Sequence, residues 1–330
     1  MMSLARKLDA RLLEAEDDRV GVMLDLASRH HDRGNHADAV AVGVETVDAC
    51  SDDPRRRSDA LRTIARSLLA AEAFDLAAAA AARAIEDAIA AADPVREARA
   101  REVQGLLLLR RGHCPDARRE YRLAGLRHRL ARDTLAMKRA VMNIGHTYRQ
   151  QGMSADASHR HEHAQVYFKQ ALRAYRIALA TGEYADDDAA IAAATADCEC
   201  RRGNFGLARI QIDRALVRAP RIENLAVVAE IHLIESRLHR ATGDLRAAEW
   251  AGERACSAAR PLRDEALARG LRALAAVSDA QGRFERASDL ESQARDISIE
   301  RERALAGLRA ALATLWNRGV AVPSTPGRAA

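Results

Sequence analysis

The chain has 330 residues and a net charge of +5; hydrophobic residues make up 48% of it and charged residues 30%. Aromatic residues account for only 3%, so a core must be built from Ala, Leu, Ile and Val, which suits close packing of helices. No uncharged apolar run is long enough to cross a membrane, the N-terminus lacks a signal-peptide core, and five scattered cysteines do not indicate a disulfide framework. We therefore expect a reduced, cytoplasmic protein.

Short turn sequences recur along the chain and divide it into helix pairs. A fixed period of about 40 residues is typical of one helix–turn–helix unit stacked many times. Glycine suits such turns because it readily adopts the left-handed conformation that ends a helix. The seven turns begin at Gly34, Glu72, Gly112, Gly152, Gly203, Gly243 and Gly282, which are 38, 40, 40, 51, 40 and 39 residues apart.

Amphipathic stretches flank each turn and predict the domain organisation. The leading segment has leucines at helical spacing, and the last residues combine Pro, Ser and Gly in a manner typical of disordered tails. In chain order, we expect a capping helix over residues 1–18, the repeats over 19–300, a C-terminal helix over 301–318 and a disordered tail over 319–330.

The spacing of 51 residues after the fourth turn predicts one unusually long helix. Following Gly152, alanines recur every seven residues at Ala157, Ala164, Ala171 and Ala178. An insertion with this spacing lengthens a helix without rotating its buried face. We therefore expect a single extended helix near residues 155–181.

The residues around each turn follow a shared order: small residue, aromatic or Leu, turn Gly, aromatic, Ala, large apolar residue, Ala, Pro. In the third unit, for example, Gly105 precedes the turn at Gly112, and Ala117, Tyr121 and Ala124 follow it. This order resembles the tetratricopeptide repeat (TPR) over residues 19–300, although the first-helix Trp of the family is absent. The longer period resembles that of bacterial sensory and regulatory TPR proteins. The resemblance implies an all-α, right-handed superhelical solenoid of about seven repeats.

In TPR arrays the first helix of each repeat lines a concave groove, so the resemblance also indicates where a partner would bind. The inward positions are rich in arginine, whose guanidinium binds carboxylates through two parallel hydrogen bonds, and they include an asparagine that can hold a peptide backbone. Asp197 and Glu230 make the groove mixed in charge. The candidate peptide-binding residues are Arg62, Arg66, Arg99, Arg110, Arg139, Asn143, His146, Arg149, Arg237, Arg240, Arg269 and Arg272.

No motif in the sequence predicts catalysis. The chain contains neither a G-x-x-x-x-G-K-[ST] phosphate loop nor a G-x-S-x-G nucleophile elbow. The segment S-H-R-H-E-H places His159 and His163 one turn apart on the expected long helix, but no third ligand accompanies them, so no metal site is predicted. We expect a protein that is not an enzyme and needs no cofactor.

The sequence therefore favours a non-catalytic scaffold or regulatory sensor that binds a protein or peptide with an acidic motif or a C-terminal carboxylate. It predicts no membrane partner and no nucleic acid. Two alternatives stay open. The basic stretch 110–139 would suit a nucleic-acid-binding protein. Residues 310–319 read A-A-L-A-T-L-W-N-R-G, which resembles the start of a diguanylate cyclase domain and implies the sensor half of such a protein without its catalytic domain.

Overall fold

A computed structural model of the chain describes residues 19–182, 184–262 and 265–319, and within these ranges it contains fourteen α-helices and no strand. The all-α helical-repeat class predicted from the sequence is confirmed. The chain divides into two compact units. The described part of unit 1 comprises residues 19–132 and 305–319, and that of unit 2 the described residues from 133 to 304.

Unit 1 contains three helix pairs followed by the end of the last helix of the chain. In each pair a short turn joins two antiparallel helices, so α1, α3 and α5 are first helices and α2, α4 and α6 second helices. Their bounds are α1 (19–32), α2 (His36–Ala49), α3 (Pro54–Ala70), α4 (Phe74–Ala90), α5 (Pro94–Arg110) and α6 (Cys114–Leu130).

Unit 2 contains four helix pairs, and two single turns of 3₁₀-helix interrupt its connections at Ala219–Arg221 and Arg260–Leu262. No helix in the described part of the chain is both long and apolar enough to span a membrane. The bounds are α7 (Thr134–Ala157), α8 (His161–Ala180), α9 (Ala185–Arg201), α10 (Phe205–Arg218), α11 (Leu225–Ala241), α12 (Leu245–Ala259), α13 (Glu265–Ala280) and α14 (Phe284–Gly319).

Aspartates at intervals of 40 residues begin three first helices. Asp53, Asp93 and Asp133 are the N-caps of α3, α5 and α7, and each side chain accepts a hydrogen bond from a backbone N–H of the first turn. These bonds satisfy donors that have no partner within the helix, and such caps stabilise a helix by about 1 kcal/mol. Pro54 and Pro94 follow two of the caps, at a position where proline loses no hydrogen bond.

Six of the seven predicted turns lie where the sequence placed them. Each has a left-handed residue at the expected position, with φ of 81° at Gly34 and 80° at Gly112. Gly203, Gly243 and Gly282 have similar angles. Glu72 also adopts a positive φ, 57°. This conformation is sterically strained for glutamate but not for glycine, which has no Cβ. The six turns support the repeat reading of the sequence.

The fourth turn was predicted wrongly, and with it the long helix near 155–181. Gly152 lies inside α7, which continues to Ala157, and the chain turns at Ser158–Arg160 with His159 at φ 57°. The extra residues therefore lengthen both helices of this pair, to 24 residues in α7 and 20 in α8. The physical reason is packing: a Cβ on Gly152 would lie 2.5 Å from a ring carbon of Phe168, so glycine is needed here for close approach of two helices.

The last helix is longer than predicted. Residues 301–318 do not form a separate C-terminal helix, because α14 runs without a break through 36 residues. Its first part packs Leu290, Ala294 and Ile297 against α12 and α13 in unit 2, and its last part buries Leu312 and Trp316 in the core of unit 1. The predicted capping helix over 1–18 and the tail beyond Gly319 lie outside the described residues.

Candidate functional site

A cleft of about 370 Å³ lies in unit 2, on the first helices of its four pairs. Its lining residues lie on α7, α9, α11 and α13. Its charged residues are five arginines and two acids, an excess of three positive charges, and its apolar residues are small or flexible. The lining consists of Arg149, Gln150, Met153, Asp197, Glu230, Leu233, Ser236, Arg237, Arg240, Arg269, Arg272, Ala273 and Ala276.

Asp197 organises the charges of this cleft. Its carboxylate is 1% exposed and accepts hydrogen bonds from Arg149 on α7 at 3.3 Å, from Arg201 on its own helix at 3.2 Å and from Arg237 on α11. Burial alone would raise the pKa of Asp197, but these three guanidinium groups outweigh it and hold the pKa below its ordinary value. One ionised carboxylate therefore joins three successive first helices.

Glu230 extends the network to α13. Its carboxylate lies 3.6 Å from Arg149 and accepts a hydrogen bond from Arg269 at 2.8 Å. Arg272, further along α13, is engaged at 2.7 Å with Glu265 and at 2.9 Å with Ser298. These contacts fix the arginines in place before any ligand binds, which lowers the entropy lost on binding.

Arg240 differs from the other arginines of the cleft. Its side chain is exposed, and it has no hydrogen-bond or ion-pair partner within the described part of the chain. It follows Arg237 by three residues on α11, so the two arginines are neighbours on one face of that helix. The cleft thus contains one arginine without an acidic partner in the described part of the chain, beside a network in which acids pair with the arginines.

A neutral hydrogen-bonded pair joins α7 and α8 next to the network, formed by the half-buried His146 and the buried Tyr175. His146 shares a hydrogen bond of 2.9 Å with the hydroxyl of Tyr175 on α8. Burial, with a smaller effect of Arg149, lowers the pKa of His146 to about 3, so the imidazole carries no charge at neutral pH. Burial likewise raises the pKa of the Tyr175 hydroxyl. Gly145 makes this arrangement possible, because a Cβ there would overlap the Tyr175 ring.

The structure brings five of the twelve predicted candidates together in the cleft: Arg149, Arg237, Arg240, Arg269 and Arg272. The other three candidates of unit 2 do not line it. Arg139 is exposed and donates to Asp187 at 3.0 Å, Asn143 is half-buried, and His146 bonds to Tyr175 in the helix interface. Whether the five bind a partner stays a prediction.

The remaining four candidates belong to unit 1. Arg62 and Arg66 lie on one face of α3, where Arg62 approaches Asp59 at 3.9 Å and Arg66 approaches Asp32 at 3.6 Å. Burial lowers the pKa of the Arg62 guanidinium. Arg99 and Arg110 are exposed on α5. These residues therefore do not contribute to the cleft of unit 2.

Sequence reasoning placed Asp197 and Glu230 in the groove but missed their role as the acids that order it. The one available signal was the i, i+4 spacing of Asp197 and Arg201, which predicts an ion pair on a helix. The apolar contribution of Met153 and Leu233 was missed as well, because both residues resemble ordinary core positions.

Histidines and cysteines form no further site in the described residues. His159 lies in the turn after α7, so it is not one helical turn from His163 as predicted, and no group of three His, Cys, Asp or Glu is placed to hold a metal ion among the positions described. All five cysteines are buried and unpaired. Burial raises the pKa of the Cys198 thiol to about 12 and that of Cys256 to about 11.

Comparison with known proteins gives structural matches only. No family model matches the chain, and no curated protein does. Among solved structures, it is similar to the apo form of the quorum sensor NprR from B. thuringiensis, with a TM-score of 0.67 and 15% identity over 89% of this chain and 82% of that one.

Two further structures were determined with ligands. The Rap conjugation gene regulator of plasmid pLS20, in complex with the Phr* peptide, matches with a TM-score of 0.63 and 12% identity over 87% of this chain and 75% of that one. A Rap protein complexed with Competence and Sporulation Factor matches with a TM-score of 0.62 and 15% identity over 85% of this chain and 75% of that one. The chain has the helical-repeat fold of these TPR-like regulators. At such identities the likeness shows the fold alone.

Proposed function

We propose that this protein is a non-catalytic, cytoplasmic regulatory scaffold that binds a peptide in the cleft of unit 2, and that it recognises an acidic side chain or a C-terminal carboxylate. The observation that carries the proposal is the exposed, unpartnered Arg240 in a cleft with three excess positive charges. An arginine fork matches a carboxylate in geometry and charge, and such bonds are about twice as strong as neutral ones.

The rest of the cleft supports a peptide rather than a small anion. Met153, Leu233, Ala273 and Ala276 supply apolar surface beside the charges, which suits a ligand that has both a carboxylate and apolar side chains. Methionine is also common at surfaces that adapt to several ligands. Among the solved structures of the same fold, one regulator is bound to the Phr* peptide and a Rap protein is bound to Competence and Sporulation Factor; the first supports a peptide as the class of ligand without identifying the ligand.

A paired peptide library tests the proposal. Fluorescein-labelled synthetic peptides are made in two sets that differ only in a free or an amidated C-terminus, with and without acidic residues, and binding is measured by fluorescence anisotropy. We expect members with a free carboxylate or acidic residues to bind, and Arg240→Glu to weaken them by at least tenfold, since a hydrogen bond to a charged group contributes about 1.5–3 kcal/mol.

Arg246→Glu is the matched control. Arg246 is also exposed, but it lies on the second helix α12 outside the cleft, and the substitution changes the net charge equally. It should leave binding within about twofold at moderate salt. Equal losses of affinity for both variants would show that the effect comes from long-range electrostatics alone. If Arg240→Glu bound the peptides as tightly as the wild type, the binding site would lie elsewhere.

The alternatives have less support. At least four of the ten bases between residues 110 and 139 are held in ion pairs, namely Arg111 with Asp75, Arg127 with Glu97, Lys138 with Asp188 and Arg139 with Asp187. These acidic partners partly neutralise the charges that would otherwise attract a nucleic-acid backbone. The stretch that resembles a diguanylate cyclase forms the last turns of α14, where Trp316 is buried.

A further inference from the structure

The apolar core of unit 1 contains side chains from the far end of the sequence. Leu312 is 0% exposed and Trp316 is 5% exposed, and both belong to the cluster built by α2, α3, α4 and α5. Leu308 and Leu315 are half-buried against the same cluster. The last turns of α14 thus cover part of the apolar surface of the first helix pairs.

The residues of α14 that join this cluster form an amphipathic pattern. Leu305, Leu308, Leu312, Leu315 and Trp316 follow at intervals of three, four, three and one, so they form one stripe along α14. Exposed residues cover the opposite side: Ala306, Ala310, Thr314 and Asn317. Amphipathic helices bind protein grooves through such i, i+3, i+4 and i+7 anchors.

The cluster that this segment joins includes a residue on a first-helix face. Leu69 belongs to the same cluster as Leu312 and Trp316 and is only 8% exposed. It follows Arg62 and Arg66 by seven and three residues on α3, so all three lie on one face of that helix. In unit 2 the corresponding face of the first helices is open and forms the cleft.

The stretch of α14 just before this segment has few buried side chains. Residues 299–304 are exposed except for the half-buried Arg301, so no apolar side chain of that stretch is buried in a core. Gly307 is exposed in the interior of α14, and a Cβ there would meet no atom within 4 Å. No close approach therefore requires glycine, which weakens the interior of a helix relative to alanine.

We propose that residues 305–319 are a displaceable intramolecular ligand: they occupy a helix-binding surface of unit 1, and an amphipathic partner helix with the same Leu and Trp spacing binds there when they leave. Gly307 lies in the first turn of the segment and weakens the helix close to where the segment detaches. This site is separate from the cleft proposed for peptide binding, and neither proposal depends on the other.

Hydrogen exchange of the full chain tests whether the segment detaches. We expect the amides of residues 308–316 to exchange at least tenfold faster than those of α3, because they exchange by local opening rather than by unfolding of unit 1. Gly307→Ala should slow exchange in the segment by about fivefold through helix propensity and leave α3 unchanged. Gly206→Ala, another glycine with open space around it, should not affect the segment. Exchange as slow as in α3 would make the segment a permanent part of the core and overturn the proposal.

A peptide supplied in trans tests the surface itself. In the full chain, Leu312→Ala with Trp316→Ala removes two anchors and should free the surface. A labelled synthetic peptide of residues 303–319 should then bind this variant at least tenfold more tightly than the wild-type chain, whose own segment competes at high effective concentration.

The control peptide carries the Trp316→Ala change and should bind neither chain. Circular dichroism shows whether the variant keeps its helices. Loss of helix in the variant, or equally weak binding of the peptide to both chains, would overturn the proposal. Arg240→Glu in the cleft should leave this binding unchanged.

Discussion

The two units use the same helix pairs but fill the faces of their first helices differently. In unit 2, Asp197 and Glu230 hold arginines from successive helices around an open cleft. In unit 1, Leu69 joins Arg62 and Arg66 on one face, and the end of α14 buries Trp316 against the same cluster. A few side chains thus determine whether the first helices of a repeat line a polar cleft or form an apolar surface that another helix packs against.

The largest expected effect would test whether Asp197 is as central as its contacts indicate. Asp197→Asn leaves three guanidinium groups around a buried neutral side chain and should reduce the free energy of unfolding by about 3–5 kcal/mol, measured by urea denaturation. Glu97→Gln is the counterpart in unit 1. Glu97 accepts from Arg101 and Arg127 at 2.8 and 2.9 Å, but Arg101 also bonds to Glu120, so a smaller loss is expected.

The exposed pair Asp25 and Arg29 provides the control, since Asp25→Asn should change stability by less than about 1 kcal/mol. Equal losses for Asp197→Asn and Glu97→Gln would remove the distinction between the units.

A second test addresses what the units share. Gly105 in unit 1 and Gly145 in unit 2 each face a tyrosine ring, and a Cβ on Gly105 would lie 2.8 Å from a ring carbon of Tyr121. Alanine at either position overpacks a helix interface and should destabilise its unit by about 1–3 kcal/mol. Thermal unfolding followed by circular dichroism measures this. Gly206→Ala, which meets no neighbouring atom, should be neutral or stabilising, and a comparable loss there would contradict the packing argument.

The smallest expected effect is a pH dependence. Burial, and to a smaller extent the charge of Arg149, lowers the pKa of His146 from 6.5 to about 3. Below pH 6.5 the unfolded chain therefore binds a proton that the folded chain does not, and stability falls as the pH decreases towards 3. The slope from one such group is at most about 1.4 kcal/mol per pH unit.

His146→Gln should therefore make the free energy of unfolding less dependent on pH between 7 and 5, a range in which most carboxylates stay ionised. His31 is the counterpart in unit 1: burial, together with Arg66, lowers its pKa to about 4, and its ring bonds to Ser67 at 2.9 Å. Urea denaturation at several pH values compares His146→Gln with His31→Gln. An unchanged slope in both would show that neither imidazole is held neutral by the fold.

Much of the repeat could be predicted from sequence because its signals are local. A glycine such as Gly203 satisfies a left-handed turn with no help from distant residues, and the aspartate caps Asp53 and Asp93 act within one helical turn. The seven-residue spacing of alanines also identified the buried face of α8 correctly, since Ala164, Ala171 and Ala178 are 0% exposed.

The errors arose where one residue type serves two purposes. Gly152 resembles a turn residue but provides room for Phe168, whereas the turn itself uses His159 at positive φ. Packing between helices decides this, and sequence spacing does not report it. For the same reason, the inward face of α7 was predicted to carry His146, although that ring bonds to Tyr175.

The cysteines described above have a practical consequence for anyone who wishes to watch this molecule in solution. All five thiols are buried, and burial raises the pKa of Cys198 to about 12, so the thiolate that reacts with maleimide reagents is scarce in the native chain. A single cysteine introduced at an exposed position of α14, such as Ala311→Cys, would be the preferred site for a fluorophore or spin label. The native sequence therefore requires no removal of cysteines before such labelling.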